Sequence, residues 1–210
     1  MSLSSNNFDR VLERRIGIHN NIPRIRNVTK SIDILGYLEF KKSENIFKSL
    51  NIMEGLFSAS LLPSGSIDKG DLIYDRREDR YGYIVNPQRR GVNNVPYGYL
   101  ADIYMCNAVI SIAHPYEASD TYNRKTVYWN RVIHHQSMKA LISPINLLLE
   151  DIVGSKIDKT MSYCYLDYSA TVHQGDRIYD GEKYYIVQKI ADDVSYDGAL
   201  KVIEIGVINV

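Results

Sequence analysis

Residues 172–180 read Val-His-Gln-Gly-Asp-Arg-Ile-Tyr-Asp, and residues 67–75 read Ile-Asp-Lys-Gly-Asp-Leu-Ile-Tyr-Asp. Five of the nine positions are identical, and each block is followed by Tyr-Ile-Val, at residues 83–85 and 185–187. In this alignment the segment between the block and Tyr-Ile-Val is three residues longer in the first copy. Two copies about 105 residues apart indicate two related β-modules rather than a solenoid of many short repeats.

The second copy has the signals of an antiparallel meander. Gly175-Asp176 is a turn signal, and residues 177–179 begin a strand. Asp180-Gly181 then predicts a two-residue type I′ hairpin turn, because both central positions of that turn need a positive φ. Strands follow over residues 184–190 and, from the alternation of apolar and polar residues, over residues 200–207.

The first copy predicts strands over residues 72–75 and 81–85, a loop over residues 86–96 and a long strand over residues 99–114. Two helices are expected elsewhere, at residues 43–57 after the N-cap Ser43 and at residues 143–153 with Pro144 in the first turn. A third, marginal helix covers residues 8–15.

The sequence therefore predicts a mainly β (α+β) fold with two related antiparallel β-barrel or sandwich-like modules and a few short helices. The modules are expected to pack together or to exchange strands, since an isolated hairpin is barely stable. The expected segments are an N-terminal arm and helix (1–57), a first β-module (58–115), a helical connector (116–159) and a second β-module (160–210).

Composition favours a globular subunit of an assembly. Basic and acidic residues number 25 each, so the formal net charge is zero, whereas a dedicated nucleic-acid binder is usually basic. Tyrosine is over-represented, with 17 Tyr against 4 Phe and 1 Trp, which suits half-buried strands and protein interfaces. The two cysteines, Cys106 and Cys164, are expected to be buried and free, and neither a signal peptide nor a membrane span is expected.

Motifs for chemistry are lacking, so the sequence predicts no catalytic, cofactor-binding or metal-binding residues and no enzyme. The five histidines have no metal-ligand spacing, and no nucleophile elbow or phosphate-binding loop occurs. Asp71 and Asp176 are expected to cap local backbone at their turns rather than to act as an acid–base pair. The histidines are His19, His114, His134, His135 and His173.

Basic residues cluster in three places, which are residues 1–30, residues 76–80 and Arg89-Arg90. They form either a solvated surface or a contact with an acidic neighbouring subunit or with DNA passing nearby. Aromatic residues do not alternate with these charges, so direct reading of a nucleic-acid sequence is not expected.

The segment Gly-Asp-Arg-Ile-Tyr-Asp-Gly-Glu-Lys-Tyr-Tyr-Ile-Val (175–187), followed by Leu-Lys-Val-Ile-Glu-Ile (200–205), resembles the closing strands of small β-barrel proteins in tailed-bacteriophage necks. That family comprises head-closure, stopper and head–tail joining proteins. The resemblance covers residues 170–207 and, more weakly, residues 66–112. Members of the family are shorter chains, and this sequence adds a second copy and an N-terminal extension.

The resemblance implies a non-catalytic subunit of a homo-oligomeric ring between portal and tail, in a virion assembled in the host cytoplasm. The implied partners are portal, tail or neck subunits, with non-specific contact to channel DNA as a further possibility. The loop at residues 86–98 and the N-terminal arm are the expected contact segments. One alternative is a baseplate or tail subunit. Another is a host-directed carbohydrate- or protein-binding module using Tyr81, Tyr83, Tyr97 and Tyr99.

Overall fold

A computed structural model describes residues 24–40, 56–61, 67–92, 95–119, 121–122, 124–144, 161–190 and 200–208. Within these residues the regular secondary structure consists of thirteen β-strands, without a helix. The chain forms two compact units, Met1–Met105 and Cys106–Val210. The prediction of a mainly β fold with two related antiparallel modules is confirmed.

The first unit is one curled antiparallel sheet. Its strand order is β3-β2-β1-β4-β5-β7-β6, and β3 also pairs with β7 through residues 56–61 and 99–104. This extra pairing joins the two sides of the curled sheet. The strands are β1 Arg24–Asn27, β2 Ile32–Phe40, β3 Leu56–Leu61, β4 Leu72–Asp75, β5 Arg80–Ile84, β6 Gln88–Val92 and β7 Val95–Met105.

The second unit is a closed six-stranded barrel with the strand order β10-β13-β12-β11-β8-β9. Each pairing in it is antiparallel. The strands are β8 Ala108–Ser119, β9 Lys125–Ser143, β10 Met161–Asp167, β11 Arg177–Tyr179, β12 Tyr184–Ile190 and β13 Leu200–Ile208.

The two units share one topology. Strands β8, β9 and β10 take the places of β1, β2 and β3, while β11, β12 and β13 take those of β4, β5 and β7. In the first unit β6 is an additional strand that pairs with β7. The repeat in the sequence is therefore a small visible part of a duplication that extends over all six strand positions.

Equivalent positions of the two copies fill the interiors. Ile73 in β4 and Ile178 in β11 are both fully buried, and Ile67 and Val172 lie buried ahead of the two turns. Ile103 pairs with Ile84 in the first unit, as Ile205 pairs with Val187 in the second. Because side chains alternate along a strand, the apolar residues shared by the two copies lie on the inner face of each sheet.

The strand registers align the two copies differently from the match of the two Tyr-Ile-Val triplets, by one residue. Leu72 pairs with Tyr83, whereas Arg177 pairs with Ile186, so Ile84 is equivalent to Val187. The connection between the paired tyrosines is six residues long in the first unit (75–80) and four in the second (180–183). The alignment by identical letters was therefore wrong at this point, and the difference in length is two residues.

Several element boundaries also differ from the prediction. The expected long strand over residues 99–114 is two strands, because β7 ends at Met105 and β8 begins at Ala108. Asn107 marks the change by donating to the Ile142 carbonyl and accepting from the Ile142 amide, both at 2.8 Å. Most of the expected loop 86–96 forms β6 and the start of β7. Strong β-formers occupy both sides of the break between β7 and β8, so residue type did not show it. Residues 86–96 are rich in Asn, Pro, Gly and Arg, which favour a loop, so residue type did not show β6.

The expected segments differ in the same way. Strands β1 and β2 lie within residues 1–57, and β9 occupies much of the expected helical connector 116–159. The expected helices at 8–15, 43–57 and 143–153 lie outside the described residues, except that residues 56–57 belong to β3 and Ser143 ends β9.

The turn between β11 and β12 is longer than the expected two-residue hairpin. Tyr179 pairs with Tyr184, so four residues connect the strands, and Gly181 has a φ of 99°. The Asp180 carboxylate accepts the amides of Glu182 and Lys183 at 2.8 and 2.7 Å. Burial opposes the charge on Asp180, but these two amides and the Tyr185 hydroxyl outweigh it and lower the pKa of the carboxyl.

Candidate functional site

The turn before β11 is built around a buried carboxylate. Gly175 has a φ of 87°, and its amide donates to the Val187 carbonyl at 2.8 Å. The next residue, Asp176, receives the His173 amide on Oδ2 at 2.7 Å, and its own carbonyl accepts the Val187 amide at 2.9 Å. The Asp176 side chain therefore ties the tight turn together.

The same turn occurs before β4 of the first unit. Gly70 has a φ of 88° and donates to the Ile84 carbonyl at 2.7 Å, while Asp71 Oδ2 accepts the Asp68 amide at 2.8 Å. Asp71 is 5% exposed and Asp176 is fully buried. The prediction that these aspartates cap local backbone is confirmed, since each carboxylate serves its own turn.

The two carboxylates differ in the side chains that meet them. In the first unit, Asp71 Oδ2 accepts from Asn27 Nδ2 at 2.7 Å and lies 3.0 Å from Lys30 Nζ. The ammonium also lies 2.7 Å from Asp68. Burial disfavours the charge on Lys30, but the hydrogen bonds to Asp68 and Asp71 more than offset it and raise the pKa of the amine.

In the second unit, imidazoles lie next to the equivalent carboxylate, Asp176. His114, next after the β8 residues that pair with β11, brings Nδ1 to 2.6 Å from Asp176 Oδ1. His173 Nδ1 lies 3.7 Å from Oδ2 of the same carboxylate. The two rings meet edge to face with centroids 5.3 Å apart. The structure thus brings His114, His173 and Asp176 into one group.

Spacing along the chain could not reveal this group. The expectation of no metal site rested on the absence of short His spacings, whereas His114 and Asp176 meet across the β8–β11 pairing, 62 residues apart. The signal that could have found it is the second repeat itself, because His173 stands three residues before Asp176 as Asp68 stands before Asp71. His19 and the side chains of His134 and His135 lie outside the described residues.

The second distinctive feature is a long hairpin. The pairing of β8 with β11 ends at Ala113, but β8 and β9 continue to pair with each other as far as Ser119 and Lys125. We call residues 115–131 the arm. In the first unit the equivalent β1–β2 hairpin closes at once, through residues 28–31. The arm is therefore an extension of one copy only.

Both faces of the arm carry exposed side chains. Tyr116 and Tyr128 are a cross-strand pair, each a little under half exposed, and Val127 on the other face is equally exposed. Near the tip, Tyr122 is 80% exposed, with the Arg124 guanidinium 5.9 Å from its ring centroid. An isolated two-stranded ribbon is at best marginally stable in water.

A cross-strand tyrosine pair recurs at one position of both units. Tyr74 and Tyr81 have ring centroids 4.7 Å apart, and Tyr179 and Tyr184 have centroids 4.6 Å apart. In the second unit the Arg177 guanidinium lies 3.9 Å from the Tyr184 ring. These pairs explain part of the tyrosine excess as strand-to-strand contacts within each sheet.

Two groups of residues expected at an interface are partly engaged within the chain. Tyr83, a candidate for an exposed aromatic groove, is 1% exposed and cannot serve one. Arg76 pairs with Asp33 at 3.1 Å, whereas Arg89 and Arg90 are exposed on β6. Side chains of Tyr97 and of most of the basic N-terminus lie outside the described residues.

Comparison of the chain with protein-family models, with curated proteins and with solved structures finds no match. Among the described residues, no helix is long and apolar enough to span a membrane.

Proposed function

We propose that this chain is a structural subunit that assembles with other protein subunits through the arm. The observation that carries the proposal is the extension of one hairpin beyond its barrel. The two units share strand order and turn geometry, yet only the second continues its hairpin past the barrel. That extension exposes two tyrosines on one face and a valine on the other.

A two-stranded ribbon in water buries little apolar surface, so hydrophobic burial stabilises it little. Apolar side chains stabilise a structure by about 25 cal/mol for each Å² removed from water, and the arm of a single chain leaves much of its area in water. Covering the arm with a neighbouring subunit recovers this contribution. Tyrosine suits such a contact, since its ring is buried while its hydroxyl keeps a polar partner.

We place this assembly in the neck of a tailed bacteriophage, as a ring subunit between portal and tail. The proposal rests on the sequence of residues 175–187 and 200–205, which resembles the closing strands of neck barrels. Identical subunits in head-to-tail contact close into rings, and an arm that reaches a different surface of the next subunit makes such a contact. Exposed Arg89 and Arg90 suit an acidic neighbour or channel DNA.

The test is the oligomeric state of the purified chain, measured by mass photometry and sedimentation over a range of concentrations, alone and with purified portal. We expect concentration-dependent assembly or portal binding. Replacing residues 116–128 by Asn-Gly gives the second unit a short hairpin like that of the first and should abolish the association.

Single substitutions supply a matched control. Tyr122→Ser in the arm should weaken association, whereas Tyr168→Ser, which removes a half-exposed ring outside the arm, should not. A chain that stays monomeric and binds neither portal nor tail proteins contradicts the proposal. Location of the chain in a purified baseplate would retain assembly through the arm and refute the neck position.

A further inference from the structure

Three groups that can coordinate a metal ion lie together in the second unit. They are the imidazoles of His114 and His173 and the carboxylate of Asp176, which offer one ligand atom each within 4.8 Å of one another. The carboxylate is fully buried, whereas 42% and 55% of the two histidine side chains are exposed. An ion from solvent can therefore reach the imidazoles without opening of the barrel.

The first unit provides an internal comparison. There the equivalent carboxylate, Asp71, is met by the Lys30 ammonium. An ammonium group neutralises a carboxylate but has no lone pair with which to bind a metal ion. The second copy has two imidazoles at its carboxylate, and an imidazole nitrogen is a common ligand of zinc and related ions.

We infer that His114, His173 and Asp176 form a binding site for a divalent transition-metal ion of the zinc type. Two imidazoles and one carboxylate leave a coordination position for water or for a side chain from another subunit. The His173 amide holds Asp176 Oδ2 at 2.7 Å, so the carboxylate is oriented by the backbone while Oδ1 faces His114. Such hydrogen bonds to a ligand raise metal affinity.

The geometry requires one adjustment. Ligand atoms at about 2.0 Å from a tetrahedral ion lie about 3.3 Å apart. The 3.7 Å between His173 Nδ1 and Asp176 Oδ2 is close to this value. The 2.6 Å between His114 Nδ1 and Asp176 Oδ1 is a hydrogen-bond distance, so the partly exposed His114 ring must move outward or turn to present a nitrogen to the ion.

Metal binding would stabilise the base of the arm, where the hairpin leaves the barrel. His114 immediately precedes residue 115, where the arm begins, and His173 and Asp176 flank the turn that leads into β11. The ion would add coordinate bonds between β8 and this turn at the point where the hairpin leaves the barrel. The inference does not depend on the proposed function, since it rests on these three side chains alone.

The test uses the untagged full-length chain after removal of metal by a chelator. Titration with Zn²⁺ in a calorimeter is expected to show one saturable site per chain and a rise in Tm, because a ligand that binds only the folded state stabilises it. Co²⁺ serves as a spectroscopic probe, since its visible absorption reports nitrogen and oxygen coordination.

Two variants identify the ligands. His173→Gln should weaken Zn²⁺ binding by about tenfold or more, the scale seen for loss of groups that support a metal site. His114→Lys copies the cation of the first unit and should abolish binding while the fold is retained, as checked by circular dichroism. If His114→Lys fails to fold, the Zn²⁺ affinity of the His173→Gln variant decides whether the site exists, because His173 is exposed.

The matched control is the double variant His134→Gln and His135→Gln, which changes the adjacent histidine pair of β9 and should leave the stoichiometry and affinity unchanged. Absence of saturable Zn²⁺ and Co²⁺ binding would overturn the inference. So would binding that survives in both His173→Gln and His114→Lys, since the ion would then be held elsewhere in the chain.

Discussion

At the scale of single residues, two buried aspartates perform the same backbone task with different partners. Asp71 and Asp176 each accept the amide three residues earlier, at 2.8 and 2.7 Å. The sequence predicted this capping role correctly because Gly-Asp at a strand entry is a local signal. It did not predict Lys30 or His114 as partners, because each meets its carboxylate across a strand pairing.

Replacement of either aspartate by alanine should destabilise the unit that contains it. Asp71→Ala and Asp176→Ala leave the Asp68 and His173 amides without their acceptor, which costs about 1–3 kcal/mol of unfolding free energy. Urea unfolding followed by fluorescence measures the change. Glu182→Ala, at an exposed turn position, is the control and should change stability by about 0.5 kcal/mol or less. Equal effects of all three variants would contradict the capping role.

The two thiols should be unreactive in the folded chain. Cys164 is buried and Cys106 half-buried, and both are free. Burial raises the pKa of Cys106 to about 12 and raises that of Cys164 as well. A thiol with a pKa of about 12 has about one part in ten thousand as thiolate at pH 8, and the thiolate is the reactive form. Reaction with Ellman's reagent at pH 8 should be slow when native and fast in denaturant.

The same shifts give stability a pH dependence. The folded chain keeps these thiol protons at pH values where the unfolded chain releases them, so stability is constant below the ordinary thiol pKa of 9.0 and falls as pH rises above it. Urea midpoints measured at pH 7.5, 9 and 10.5 should decline slightly in the first step and much more in the last. A midpoint that rises with pH would show that the thiols are not buried in the folded state.

At the scale of strands and turns, local patterns predicted β4, β11 and β12 at their exact bounds. Each of those strands follows a turn that contains a glycine with positive φ, which is Gly70, Gly175 or Gly181. The separation of β7 from β8 was missed, because apolar β-formers run through residues 99–114 and only a side-chain contact of Asn107 marks the break. The one-residue shift of Tyr-Ile-Val was missed because the two copies were aligned by identical residues, and the sequence does not show the strand register. That shift makes Gly82 equivalent to Tyr185.

Gly82 and Tyr185 occupy equivalent strand positions, but the interiors of the two units leave different amounts of space there. A Cβ on Gly82 would lie 2.7 Å from Ile103 Cγ2 and 2.8 Å from Met105 Sδ, so the first interior has no room there. In the barrel of the second unit Tyr185 fills the position, and its hydroxyl donates to Asp180 Oδ2 at 2.8 Å. Burial, followed by the charge and hydrogen bond of Asp180, raises the pKa of Tyr185.

The turn glycine should be needed for its backbone conformation alone. Gly175 has a φ of 87°, and a Cβ built on it would meet nothing within 4 Å. Gly175→Ala should therefore cost about 1–2 kcal/mol through the left-handed conformation. Thermal unfolding measures the loss. Gly175→Asn is the matched variant and should lose less, because asparagine tolerates this region better than alanine. An alanine variant of unchanged Tm would contradict the assignment.

At the scale of the whole molecule, the fold class and the duplication were predicted, and the boundary between the copies was not. The sequence ended the first β-module at residue 115 and began the second at residue 160, with a connector between them, whereas the structure divides the chain between Met105 and Cys106. Residues 106–115 contain all three β8 residues that pair with β11. Turn signals mark the centre of each copy, and no comparable signal marks the first strand of the second.

Fragments distinguish the two boundaries. Residues 106–210 contain all six strands of the closed barrel and should fold alone, giving a β-type circular dichroism spectrum and a cooperative thermal transition. Residues 116–210 lack the part of β8 that pairs with β11, so this fragment should fail to fold. A folded 116–210 fragment, or an unfolded 106–210 fragment, would contradict the division seen in the structure.

The arm has a consequence for how the second barrel is linked along the chain. Within the barrel, β8 pairs with β11 through residues 111–113 and with β9 through residues 108–113. The covalent connection through the tip, near Tyr122, therefore lies far from the bonds that keep β8 in place. A protease cut at Arg124 or Lys125 should leave a nicked barrel whose two pieces stay together, and new chain termini placed there should give a folded circular permutant.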